Sequence, residues 1–149
     1  MNKNIRLLKK EICIKTSGQF LYEITNEIND WLKIENINHG HLVIFILHTS
    51  ASLIIQENAS HDVLEDIQKF FSKLVPENNS LYTHTLEGID DMPAHIKSLL
   101  TQTSITIPIE NSKMNLGTWQ GIFLFEHRKS SLDRKIILSF IGNTINKKE

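Results

Sequence analysis

Two aspartates side by side, Asp90-Asp91, lie between His84 and His95 in the segment His84-Thr85-Leu86-Glu87-Gly88-Ile89-Asp90-Asp91-Met92-Pro93-Ala94-His95. Paired carboxylates beside a histidine can hold a divalent cation or work as a general acid/base pair. Two further polar segments carry the same kinds of side chain. One is His48-Thr49-Ser50-Ala51, followed by Glu57-Asn58; the other is Leu116-Gly117-Thr118-Trp119-Gln120-Gly121, followed by Glu126-His127-Arg128. All three sit at the ends of apolar runs, where a fold can bring separate segments together.

Pro93 has no backbone N–H and fits a helix only in its first turn, so a helix starts at Asp91 or Met92. With Asp91 as N-cap, its carboxylate would accept the N–H of Ala94, and His95 would follow one turn on along the same side. A capped helix accounts for Asp91 but leaves Asp90 free and unexplained. The same helix start could hold a phosphate, and the sequence does not choose between anion and cation. Glu87-Gly88 supplies a turn that could fold His84 back, making His84, His95 and one aspartate a His₂–carboxylate metal site. The spacing matches no zinc signature, and a loop histidine plus a helix-surface histidine is the simpler account of it.

His48 shares a strand face with Leu42, Ile44 and Ile46, which predicts partial burial and a protonation state set by its surroundings. A satisfied core histidine explains it equally well. Thr49 and Ser50 lack the turn of a nucleophilic serine. After Gly117, alternation places Thr118, Gln120, Ile122, Leu124, Glu126 and Arg128 on one face and Trp119, Gly121, Phe123, Phe125 and His127 on the other. Glu126 with Arg128 reads as a paired structural charge. Trp119 could floor a pocket, although packing is the commoner role. Each residue has an ordinary explanation alone; together they favour a site.

The elements that must position these groups follow from periodicity. Residues 5–14 form a strand broken at Thr16-Ser17-Gly18, and a helix capped by Thr25 covers about 25–35, with Ile24, Ile28, Trp31 and Leu32 at helical spacing. Asn36 to Gly40 is expected to be a turn. Leu42 to Leu47 is apolar on both faces, the mark of a strand covered on both sides. Leu53 to Glu57 resumes a strand, and Ser60 caps a helix with the stripe Val63, Leu64, Ile67, Phe70, Phe71 and Leu74. Pro76 ends it. The helix at Pro93 should run to about Leu100 with Ile96, Leu99 and Leu100 inward. Strands follow at 105–109, 117–126 and 135–141, with Pro108 at an edge or strand end and 147–149 a frayed tail. Grouped strands and helices, with no glycine-rich phosphate loop, argue for one α+β domain over residues 1–149 with a mostly antiparallel sheet and about three helices.

Composition adds exclusions. The chain has 149 residues, a formal net charge of −1 and one cysteine, Cys13. A (β/α)₈ barrel needs at least about 200 residues and is excluded. The balanced charge recommends neither nucleic acid nor an anionic membrane as partner. A lone cysteine fits a reducing compartment. No apolar run approaches the roughly 20 residues of a membrane span, and Met1-Asn2-Lys3-Asn4 is expected to lead straight into an amphipathic strand, without the apolar region of a signal peptide. A cytoplasmic location is expected.

In collinear order, His48-Thr49-Ser50-Ala51, Glu57-Asn58, Gly88-x-Asp90-Asp91-Met92-Pro93-Ala94-His95, Leu116-Gly117-Thr118-Trp119-Gln120-Gly121 and Glu126-His127-Arg128 closely resemble the YjbQ family. The resemblance implies a compact α+β β-sandwich assembling as a homotrimer, with a metal or phosphate site near subunit interfaces. It also implies a secondary thiamine-phosphate synthase activity, in which a pyrimidine diphosphate joins a thiazole phosphate and pyrophosphate leaves. By motif, His48, Glu57, Asp91, His95 and Glu126 become candidate catalytic residues. Asp90, Trp119 and Gln120 become ligand-binding candidates, and His84, Asp91 and His95 metal ligands for magnesium or zinc. Thr101-Gln102-Thr103 and Asn111-Ser112-Lys113 depart from the family pattern where glycines are usual, which affects loops rather than these motifs. The reaction suits the residues: Asp90 and Asp91 could hold Mg²⁺ against departing pyrophosphate, with His48 or His95 as base. No lysine-rich loop grips two phosphorylated substrates. The competing expectation is a metal- or phosphate-binding trimer without turnover.

Overall fold

Burial along the strands divides the chain into layers. The structure, a computed structural model, describes residues 5–145; the expected tail at 147–149 lies outside them. The elements are β1 (Arg6–Lys15), β2 (Phe20–Glu23), α1 (Thr25–Ile34), β3 (Ile37–Ile46), β4 (Ala51–Glu57), α2 (His61–Leu74), a 3₁₀ turn (Asn79–Leu81), α3 (Asp91–Leu99), β5 (Ser104–Glu110), β6 (Lys113–Met114), β7 (Gln120–Glu126) and β8 (Asp133–Thr144). One sheet has the order β1-β8-β3-β5-β6 and the other β2-β7-β4, and every pairing is antiparallel. The α+β sandwich with three helices expected from the sequence is what the chain forms.

The main core fills the space between the sheets. Leu42, Ile44 and Ile46 of β3, Ile136, Leu138 and Phe140 of β8, and Ile105, Ile107 and Ile109 of β5 face Leu53 of β4 and Ile122 and Leu124 of β7. Ile28, Trp31 and Leu32 of α1 join the same core. A second cluster lies on the other face of the smaller sheet, where Phe123 and Phe125 meet Leu64, Ile67 and Phe71 of α2. The Phe71 and Phe125 rings pack edge to face at 5.3 Å, a geometry favoured by their quadrupoles.

Several local expectations are corrected. The strand covered on both sides is β7, where positions 121 to 126 are all buried, not β3, whose Phe45 is 42% exposed. Among the described residues none covers the outer face of the larger sheet at that position. The turn expected over 36–40 is confined to Asn36, at φ 51°, because β3 already begins at Ile37. Thr25 is the first helical residue rather than a cap. Its hydroxyl accepts the N–H of Ile122 at 2.9 Å, tying α1 to β7. Ser60 holds the N-cap position of α2 without a side-chain bond. Phe70 and Leu74 of the α2 stripe are exposed, since the helix meets the sheet only along Leu64, Ile67 and Phe71. In α3, Leu99 and Leu100 are exposed, and the inward face is Asp91, Pro93, Ala94 and Lys97. The short β2 and β6 were not legible as strands.

Candidate functional site

The start of α3 is set by competition between a cap and an ion pair. Asp90, not Asp91, occupies the N-cap position, and neither carboxylate caps the helix; Ala94 N–H donates to the Asp90 carbonyl at 3.0 Å. A guanidinium, charged and offering several N–H donors, is a stronger partner for two carboxylates than single uncharged backbone N–H groups, and Arg128, just beyond β7, supplies it. Its Nε donates to Asp90 Oδ2 at 3.0 Å, Nη1 pairs with Asp91 Oδ1, and Nη2 donates to the Glu87 carbonyl at 3.0 Å. The Lys129 N–H adds a bond to Asp90 Oδ2 at 2.8 Å. Arg128 therefore does not pair with Glu126 through its side chain, as alternation suggested. Gly88 makes this possible: at φ 115° it turns the chain in the left-handed region, and a Cβ there would press on Asp90 Oδ1 at 3.0 Å.

The remaining oxygen of Asp91 faces two histidines. Asp91 Oδ2 lies 2.7 Å from His84 Nε2 and 3.3 Å from His95 Nε2. The donor atoms of His84, Asp91 and His95 all fall within 4.8 Å of one another. His95 Nδ1 is 3.0 Å from the Thr49 carbonyl; a carbonyl only accepts, so the proton resides on Nδ1 and the Nε2 lone pair points at the cluster. Asp91 is 2% exposed. Burial opposes its ionisation, but the His84 bond and the charge of Arg128 win and hold its carboxyl below the usual range. For Asp90, the bonds from Lys129 N–H and Arg128 likewise outweigh burial. Two carboxylates against one guanidinium leave one negative charge facing the histidines. A divalent cation fits that donor set.

The other predicted residues divide between two places. His48 Nε2 accepts the Lys135 N–H at 2.8 Å. Burial first, then the charge of Arg134, lowers its pKa, so it is a neutral ring with its acceptor nitrogen occupied. Glu126 is fully buried: Oε2 accepts Thr16 Oγ1 at 2.8 Å and Arg134 Nε at 2.7 Å, and Oε1 accepts the Arg128 N–H at 3.0 Å. Arg134 also reaches Ser50 Oγ at 3.1 Å. Glu57, Trp119 and Gln120 lie elsewhere. In the β4–β7 ladder Glu57 pairs with Gln120 at one end and Ala51 with Glu126 at the other, and six strand steps span about 20 Å. Within one chain the motifs thus form two clusters at opposite ends of the smaller sheet. Trp119 is 63% exposed, and Gln120 Oε1 accepts the Gly117 N–H at 2.8 Å.

Two further buried residues carry no role in the sequence reading, which names His127 only within its motif and on a strand face and does not name Lys97. His127 is 1% exposed, with Nε2 2.9 Å from Ser52 Oγ and Nδ1 without a partner among the described residues. Burial, with the charges of Lys97 and Arg134, lowers its pKa to about 3. Lys97 is buried beneath α3. Its spacing from Asp91 and Ala94, both inward, was the available signal.

The family profile "UPF0047 protein YjbQ-like" matches residues 10–143. A UPF0047 protein of Synechocystis is 48% identical over 131 residues, covering 88% of this chain and 89% of that one. The YjbQ protein of Escherichia coli O157:H7 is 38% identical over 135 residues, covering 90% and 97%. A crystal structure of a YjbQ/UPF0047 protein from Clostridium acetobutylicum superposes with a TM-score of 0.80 at 37% identity, covering 88% of this chain and 98% of that one. The match runs from within β1 to within β8 and spans every motif named above, and the chain belongs to the YjbQ/UPF0047 family.

Proposed function

We propose that His84, Asp91 and His95 hold a divalent metal ion, and that the site handles a phosphorylated small molecule. The observation that carries this reading is His95, fixed by its Nδ1–H on the Thr49 carbonyl with Nε2 directed at Asp91. Two imidazole nitrogens and one carboxylate suit zinc better than magnesium, which prefers oxygen. Asp90 is taken up by Arg128 and Lys129, which also argues against an all-carboxylate magnesium site. When bound, the ion would supply charge stabilisation for a leaving phosphate or pyrophosphate. Arg128 orients Asp91 from behind, and the Thr49 carbonyl sets the ring of His95. Thiamine-phosphate synthesis is the named reaction this reading would take.

A homotrimer belongs to the same proposal. Leu7, Phe45, Leu47 and Ile141 stand exposed on the larger sheet, with Val43 and Ile137 half-buried among them. A second copy covering this face would remove them from water, and an interface would allow Glu57, Trp119 and Gln120 to meet the histidine cluster of a neighbour. A binding trimer without turnover is the second reading. It is favoured by Glu126 and His48, whose polar atoms are taken up within the fold.

The test is metal content of the untagged chain and of His95→Ala after incubation with zinc or magnesium, followed by a pyrophosphate-release assay. About one ion per native chain, lost in the variant, is expected. A native chain that takes up neither ion overturns the metal reading. Metal without pyrophosphate release favours the binding trimer.

A further inference from the structure

Lys97 is the anomaly outside the histidine cluster. It is 2% exposed and belongs with Phe123, Phe125 and Phe140 among the large, fully buried side chains described. Its ammonium makes no ion pair or hydrogen bond with any described residue. The nitrogen is not fully enclosed and opens into a cavity, yet a cation on a side chain this nearly buried is ordinarily paired. The side chain lines a cavity of about 330 Å³, together with Gln19, Ser72, Glu77 and Lys129. A water occupies about 30 Å³ of liquid, so the space far exceeds one bridging water. All five lining side chains are polar.

Glu77 is not the missing partner. Its Oε1 accepts Gln19 Nε2 at 2.7 Å and its Oε2 pairs with Lys129 Nζ. Gln19 is itself locked by a second bond, to the His127 carbonyl at 2.9 Å. The lining thus carries two cations and one anion, a net single positive charge centred on Lys97. Asp90 and His127 are the other titratable groups near it, and Asp90 is satisfied by Arg128 and Lys129.

We propose that this cavity binds a small oxyanion, a carboxylate or phosphate group, with Lys97 as its counter-charge and Lys129 at the rim. The site differs from the histidine cluster: His95 and Lys97 project about 200° apart around α3. The two share the loop after β7, since Lys129 lines the cavity and its N–H holds Asp90. An anion here would supply the acceptors that the Lys97 ammonium lacks.

Inorganic phosphate and acetate, each against sodium chloride at matched ionic strength, are titrated into the native chain, Lys97→Met and His95→Ala, with melting temperature and calorimetry as readouts. At least one anion is expected to bind the native chain saturably, one per chain. Affinity should fall at least about tenfold in Lys97→Met, the loss of a charge-assisted contact, and be kept in His95→Ala. Retained binding in Lys97→Met, or no saturable binding of either anion to the native chain, overturns the proposal. If Lys97→Met does not fold, Lys129→Met decides: its exposed ammonium is expected to contribute several-fold to affinity, and an unchanged affinity counts against the site. Loss of metal with anion binding intact in His95→Ala separates failure of the metal reading from failure of this one.

Discussion

Glu126→Gln tests whether the acidic residue at the end of β7 works on a ligand or holds the fold. Its carboxylate is fully buried and accepts bonds from Thr16, Arg134 and the Arg128 N–H. Arg134 is only 4% exposed, so removing the carboxylate charge leaves a guanidinium buried without its counter-ion. Breaking one side of a buried pair costs about 3–5 kcal/mol, a large part of the roughly 5–15 kcal/mol that keeps a domain folded. At about 2–4 °C per kcal/mol for a chain of this size, the melting temperature should fall by about 6–20 °C. Urea unfolding followed by circular dichroism gives the free energy directly. The paired variant Glu126→Leu/Arg134→Met should recover much of the loss, since an apolar pair can replace a buried ion pair at little cost. A catalytic Glu126 predicts the reverse: stability kept and ligand turnover lost. A drop below about 1 kcal/mol in Glu126→Gln would refute the structural argument.

His127 makes the fold acid-sensitive. Its folded pKa of about 3 lies below its unfolded value of 6.5, so the unfolded chain binds the extra proton, and its share of stability is present above pH 6.5 and lost as pH falls toward 3. Between pH 8 and pH 5 the native chain should lose about 2 kcal/mol more than His127→Leu in urea titrations; parallel curves would remove His127 as the cause. A methyl group at Gly142 would collide with the His39 carbonyl and the Phe140 ring, and Gly142→Ala should cost about 1–3 kcal/mol, read as a lower urea midpoint. Phe45→Lys/Leu47→Lys should convert a sedimenting trimer into monomers without unfolding them, whereas a native chain that already sediments as a monomer would end the trimer reading.

What the sequence made legible was contact along the chain; what it hid was contact across it. His84, Asp91 and His95 are close in sequence and meet around one helix start. Arg128 was expected to find Glu126, two positions away on the same face, yet it bonds the aspartates of α3, while Glu126 takes Arg134 from the next strand. Alternation gives a face but not the partner that crosses to it. Lys97 was hidden by its type, since a lysine is read as solvated even where Asp91 and Ala94 mark its side of the helix as inward. The same limit explains β3 and β7, two strands with nearly the same apolar run. In β7 the second face is covered by α2 within the chain. In β3 it stands open at Phe45 and Leu47, so a pattern apolar on both faces records burial without saying whether the covering surface belongs to the same molecule. That difference is why the open face of β3 is the place to test for another copy of the chain.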